Sequence, residues 1–182
     1  VGHNTDVYGF EKLAKEKRIR GRKVLVLGTG GASSAICQAL RNLGAKEIIR
    51  VSRNRRPEPD CCTYDELNRH PDAQVIVNST PIGMYPNNGH SPLDGCSVKW
   101  TDFQQLETAL DAIYNPYRTK FLMDAEEAGA EVESGLAMLV YQGLRSAQIW
   151  GEVPRSGKGR RIVAEQTRGE NGRKKEKKKR SI

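Results

Sequence analysis

The sequence is poor in the features that mark secreted, membrane-spanning or metal-built proteins. Its four cysteines, Cys37, Cys61, Cys62 and Cys96, form neither a CxxC pair nor a metal spacing. Reduced thiols in a cytosolic protein are therefore expected, with no metal site. Long apolar runs are missing as well. The uncharged stretch Val24 to Leu40 is 17 residues and contains a glycine cluster, Thr29, Ser33, Ser34 and Gln38, whereas a bilayer span takes roughly 20 mostly apolar residues. No signal-peptide pattern is visible. Aromatic residues make up 6% of the chain, and none is interleaved among the basic residues at its end, which argues against a base-stacking nucleic-acid surface. Charge imbalance is also absent from most of the chain. Of 30 Lys+Arg and 22 Asp+Glu, residues 152–182 hold 12 and 4, which leaves 18 of each in residues 1–151. The net charge of +8 thus belongs to a basic segment with few apolar residues, expected to be a disordered tail, and the folded part is neutral.

What is present is organised around Lys23 to Leu43. Val24 to Leu27 are four apolar residues bounded by charge and glycine, as in a short strand buried on both faces of a parallel sheet. Gly28, Gly30 and Gly31 crowd a turn, and Ala32, Ala35, Ile36, Ala39, Leu40 and Leu43 then recur at helical spacing. Strand, glycine turn and helix together predict a dinucleotide-binding fingerprint, with Gly28, Thr29, Gly30, Gly31 and Ala32 as the pyrophosphate loop. Ser33 stands at its third position and is small enough for close helix–strand packing.

A second strand is expected at Glu47–Ser52. An NAD site would place a carboxylate at its end, but Ser52-Arg53-Asn54-Arg55-Arg56 follows instead. Arginine offers a bidentate fork to a 2′-phosphate, so the pattern favours NADP, with Arg53 as the chief contact beside Ser52 and Asn54. Further elements are expected as a short helix at 64–69, a strand at 73–78 running into Ser79-Thr80, and a long loop to about Ser97. A strand at Leu110–Tyr114 follows, then a helix capped by Thr119, a short strand at 131–133 and a helix from Gly135 to Trp150. An amphipathic helix from Asp6, capped by Asn4 or Thr5, is expected to close at Gly21. On the last helix Gly135, Met138 and Gln142 share one face. These elements predict an α/β fold, a Rossmann-like doubly wound parallel sheet in three α/β/α layers. Residues 1–22 would be a linking helix, 23–151 the NADP-binding domain and 152–182 the tail.

Six stretches in order resemble the NADP-binding C-terminal portion of the shikimate dehydrogenase family. They are Gly2-His3-Asn4-Thr5-Asp6 with Gly9-Phe10, Gly28 to Ser33, Val51 to Asn54, Asn78 to Met84, Asp111 to Pro116 with Thr119, and Gly135 to Gln142. The resemblance implies reversible reduction of 3-dehydroshikimate to shikimate with NADPH, in the cytoplasm, as part of aromatic amino acid (chorismate) biosynthesis. It implies that Asp6 is the catalytic aspartate that pairs with a lysine at the substrate. Tyr114 and Gln142 then bind substrate with Asp6, and Gly135 and Thr80 lie against the cofactor. Ala112 stands where the family has a larger apolar residue, and residues 153–182 match no part of the family. The family's N-terminal substrate domain, with its lysine, is absent, so the chain reads as the cofactor half, inactive alone. It begins at Val1 and enters directly into a motif, as a fragment would. The competing readings are a non-catalytic NADP-binding module and a quinate dehydrogenase.

Overall fold

The computed structural model describes residues 5–150. Gly2, His3 and Asn4, with the expected Asn4 cap, lie outside the described residues, as does the basic segment 152–182. The chain divides into two compact units, residues 1–142 and 143–182. The described part of the second, residues 143–150, carries the last turns of one helix and ends on exposed Ile149 and Trp150.

The first unit is built on six parallel strands: β1 (Lys23–Leu27), β2 (Glu47–Ser52), β3 (Cys61–Thr63), β4 (Val75–Asn78), β5 (Thr108–Asp111) and β6 (Glu131–Glu133). Their spatial order is β3-β2-β1-β4-β5-β6. The chain therefore winds outward from β1, returns, and winds the other way from β4. The carboxyl ends of β1 and β4 flank the switch point where such sheets bind ligands. Four helices cover the faces: α1 (Thr5–Ala14), α2 (Gly31–Asn42), α3 (Lys120–Glu127) and α4 (Leu136–Ile149).

The apolar run of β1 is what makes three layers possible. Side chains alternate across a strand, so Leu25 and Leu27 enter one core with Ile76, Phe121 and Leu122, while Val24 and Val26 enter the other with Phe10, Ile36 and Leu40. All four are fully buried, and burying each such side chain contributes about 1.5–3 kcal/mol.

Some boundaries differ from expectation, and one strand is added. α1 ends at Ala14 rather than at Gly21. Lys15 to Arg18 give it no further apolar face, and Ile19, 2% exposed, leaves the helical path to fill the second core. The fifth strand is Thr108–Asp111, two residues earlier than the apolar run Leu110–Tyr114 suggested. Pairing with β4 sets Thr108 opposite Val75, and the Asp111 carboxylate accepts from the Ile113 amide at 2.9 Å, turning the chain out of the sheet. β3 is an additional strand, three residues held by register against Arg50–Ser52. The long loop after β4 is partly fixed, since Leu93 and Val98 are buried in the first core.

Candidate functional site

The glycine turn sits where β1 ends. Gly28 has φ 106°, a conformation L-residues rarely adopt, and its amide donates to the Val51 carbonyl at 2.8 Å. A Cβ there would stand 2.9 Å from Ser79 Oγ, which itself donates to the Leu27 carbonyl at 2.6 Å. The turn after β1 is thus pressed against the start of the loop after β4. Gly30 and Gly31 are different, because a Cβ on either would meet nothing within 4 Å. Packing does not demand glycine at these two positions. Gly30 caps α2 with no side-chain hydrogen bond, so the first amides of the helix face open space with the positive end of its dipole behind them. Glycine without a protein neighbour, at an uncapped helix start, suits a phosphate-bearing ligand. Thr29 is half-buried, Ala32 is exposed and Ser33 is buried, as a loop with one packed and one open side requires.

At the end of β2, Ser52 is 6% exposed and its Oγ accepts from Arg56 Nε at 3.4 Å. Arg53 and Asn54 are exposed immediately beyond it. Sequence reasoning centred on Arg53, and the structure places Arg56 at the strand-end hydroxyl as well. No spacing in the sequence separates it from Arg53, because the contact depends on how the turn folds. Arg55 and Arg56 also wall a cavity of about 410 Å³ with Ile49, Glu58, Cys62 and His70. Arg50 points elsewhere, to Asp60 at 2.9 Å, and holds that carboxyl below its ordinary range.

Thr80 lies in a buried polar network that sequence reasoning missed. Asn78 Oδ1 accepts from the Thr80 amide at 2.9 Å and from its hydroxyl at 2.7 Å, and Thr80 Oγ1 accepts from the Ile82 amide at 3.2 Å. Asn78 Nδ2 donates to Asp111 Oδ1 at 3.1 Å, while Thr119 Oγ1 donates to Asp111 Oδ2 at 2.6 Å and accepts from the Leu122 amide at 3.3 Å as the cap of α3. Asn78 and Asp111 are fully buried, and Thr119 is 1% exposed. Burial pushes the Asp111 carboxyl up to about 6, against the three hydrogen bonds that lower it. The network ties the loops after β4 and β5 together. The signal was a polar residue closing each of two buried strands.

Gly135 is fixed by a close approach. Its amide donates to the Ile113 carbonyl at 2.9 Å, and a Cβ would stand 2.1 Å from the Ala112 carbonyl oxygen and 3.0 Å from the Ile113 carbonyl carbon. Only backbone could move. Gly135→Ala is expected to lower stability by about 3 kcal/mol or more, the upper end for overpacking. Gly143→Ala on the same helix, where a Cβ meets nothing within 4 Å, is expected to raise it by up to about 1 kcal/mol. Urea unfolding midpoints of the two variants check this opposition of sign.

The remaining residues come from α1, the β5 loop and α4. Asp6 lies in the first turn of α1, and its Oδ1 accepts from Gln142 Nε2 at 2.5 Å across 136 residues of sequence. Met138 is the buried residue on the same face of α4 as Gln142. Tyr114 is 49% exposed in the loop beyond β5. The structure therefore joins Asp6 to Gln142 and Gly28 to the Ser79–Thr80 loop, while Tyr114 sits on the surface of its own loop. Among the described residues no helix is long and apolar enough to cross a membrane.

An open glycine cradle at an uncapped helix, set at the switch point of a parallel sheet, defines this unit as a dinucleotide-binding α/β domain. No family model matches the chain. It is 35% identical over 162 residues to a protein named shikimate dehydrogenase (NADP(+)) from Clostridium perfringens, covering 84% of this chain and 58% of that protein. Among solved structures it resembles a chorismate mutase/shikimate 5-dehydrogenase fusion protein from Clostridium acetobutylicum, at 39% identity and TM-score 0.72 over 84% of this chain and 56% of that one. It also resembles the Listeria monocytogenes shikimate 5-dehydrogenase in complex with shikimate and NAD, at 26% identity and TM-score 0.71 over 90% and 62%. The chain is thus similar to shikimate dehydrogenases over most of its own length and spans less than two thirds of the length of each of these relatives.

Proposed function

We propose that this chain binds NADP(H) and supplies the cofactor half of a shikimate dehydrogenase, which reversibly reduces 3-dehydroshikimate to shikimate. The observation that carries the cofactor reading is the open cradle at Gly30 and Gly31 over uncapped α2. The basic end of β2, with no carboxylate from Ser52 to Arg56, adds the preference for a 2′-phosphate. Gly28 to Ala32 would hold the pyrophosphate, Ser52, Arg53, Asn54 and Arg56 the 2′-phosphate, and Thr80 and Gly135 the walls of the crevice. Bound NADPH supplies the hydride. Asp6 and Gln142 bind and orient the substrate's hydroxyl groups with Tyr114, and Asp6 holds the ammonium of a lysine contributed from outside these residues. In this reading residues 1–22 are the linking helix, 23–151 the cofactor domain and 152–182 a basic tail.

NADP(H) is expected to bind more tightly than NAD(H). Arg53→Ala should remove most of that preference, a loss on the order of 1.5–3 kcal/mol for a charge-assisted contact. Calorimetric titration of both cofactors against the wild type and the variant checks this; equal affinities in the wild type overturn the NADP assignment.

A further inference from the structure

We infer that Gly9 is a positioning residue for the Asp6–Gln142 pair, acting through a helix-to-helix contact that only glycine permits. Its meaning for catalysis rests on the proposed substrate role of that pair, but the contact itself can be tested without substrate. α1 and α4 meet where Gly9, buried in the middle of α1, lies against the backbone of α4. A Cβ on Gly9 would stand 2.6 Å from the Met138 carbonyl oxygen and 3.2 Å from both Met138 Cγ and Gln142 Cβ. The nearest of these is backbone, so a methyl group has no flexible side-chain end to displace.

Helix geometry couples this contact to the pair. Asp6 is three residues before Gly9, and Gln142 is four residues after Met138, so each partner lies one turn from the contact on the same face of its helix. The glycine contact and the 2.5 Å Asp6–Gln142 hydrogen bond are two points of one interface. A methyl at position 9 reaches an ordinary 3.4 Å contact with the Met138 carbonyl oxygen only if the helices part there by about 0.8 Å, and the same parting takes the 2.5 Å Asp6–Gln142 bond beyond the usual range of about 2.7–3.2 Å. Glycine inside a helix costs backbone entropy relative to alanine. Its presence here is accounted for by the close approach, and the neighbouring Phe10, fully buried, keeps α1 from rolling away to relieve it.

The test is a double-mutant cycle on thermal midpoints of the 182-residue chain. Asp6→Ala, Gln142→Ala and the double variant are made on the natural Gly9 and again on Gly9→Ala. With Gly9 in place, the double variant should lose less than the sum of the two singles. On Gly9→Ala the two losses should become additive. Gly9→Ala by itself should lower the midpoint, opposite to its effect at an uncrowded helical position. NADP+ affinity, titrated in parallel, should stay within twofold, and Phe10→Leu, which loosens α1 without adding a Cβ, should preserve the non-additivity. A Gly9→Ala chain that is more stable, that keeps the non-additivity, or that does not fold overturns the inference, as does loss of the non-additivity in Phe10→Leu. Failure of the wild-type chain to bind NADP+ overturns the proposed function and leaves the outcome of the cycle unaffected.

Discussion

Asp111→Asn is expected to gain on the wild-type chain in stability as pH rises from about 4 to 6, by at most about 1.4 kcal/mol per pH unit. Burial raises the folded-state carboxyl of Asp111 to about 6 from its ordinary 3.8. A group whose folded value is raised contributes its stability at low pH and loses it as pH climbs to the folded value, so ionising Asp111 costs the wild type stability across that window. Asparagine does not ionise. It keeps the acceptor used by Asn78 and the Ile113 amide and replaces the Thr119 bond by one of reversed direction. Asp111→Ala keeps neither acceptor. The buried Asn78 Nδ2 donor retains only the Ile82 carbonyl at 3.2 Å, and the Ile113 amide loses the oxygen that turned the chain out of β5. The alanine variant is therefore expected to be about 2–4 kcal/mol less stable than the asparagine one. Urea unfolding at pH 4, 5, 6 and 7 decides the matter. A wild-type-to-asparagine difference that stays constant with pH would show that Asp111 does not titrate as its burial requires.

The parts of this structure legible in the sequence are those set by short-range chemistry. Four apolar residues and three glycines state β1 and its turn, and Thr119 states the start of α3, where its hydroxyl accepts from Leu122. Gly135, Met138 and Gln142 could be placed on one face by spacing alone, and α4 presents Met138 inward and Gln142 to Asp6. What stayed hidden depends on partners far away in sequence. Cys61–Thr63 is a strand only because Arg50–Ser52 is beside it. Ala112, Ile113 and Tyr114 continue the apolar run of β5, yet the carboxylate of Asp111 ends the strand before them. Arg56 could not be told from Arg53 without the fold of the turn. The family resemblance implied only that Asp6 and Gln142 share a substrate; their contact across 136 residues was carried by no spacing in the sequence.

Turnover of shikimate by the 182-residue chain alone is expected to be negligible, even with the proposed NADP(H) bound. Hydride transfer needs the reacting carbons held at near-attack distance and the proton moved in step, arrangements worth about 7–11 kcal/mol and about 10²–10⁴-fold respectively. The described residues provide the crevice for the cofactor, with Asp6 and Gln142 already hydrogen-bonded to each other and Tyr114 on a neighbouring loop. Lys15, just past α1, is exposed, and the neighbouring lysines are engaged elsewhere. Lys12 lies over the Tyr8 ring, Lys17 pairs with Glu131 and Glu133, and Lys23 pairs with Glu47 and Asp72. The described residues also include no second wall that would close the substrate side and exclude water. Joining the chain to the remaining segment of a shikimate dehydrogenase relative, roughly 100 residues, an ordinary domain size, should restore activity. In the joined protein Asp6→Asn should lower kcat by about 10²-fold or more while NADP affinity changes little, because in the proposed function the carboxylate serves the proton and the substrate rather than the phosphates. NADPH formation from shikimate, followed by absorbance for the isolated chain, the joined protein and its Asp6→Asn variant, provides the measurement. Robust turnover by the isolated chain would mean that proton transfer proceeds without the lysine, and the role given to Asp6 would fall with it.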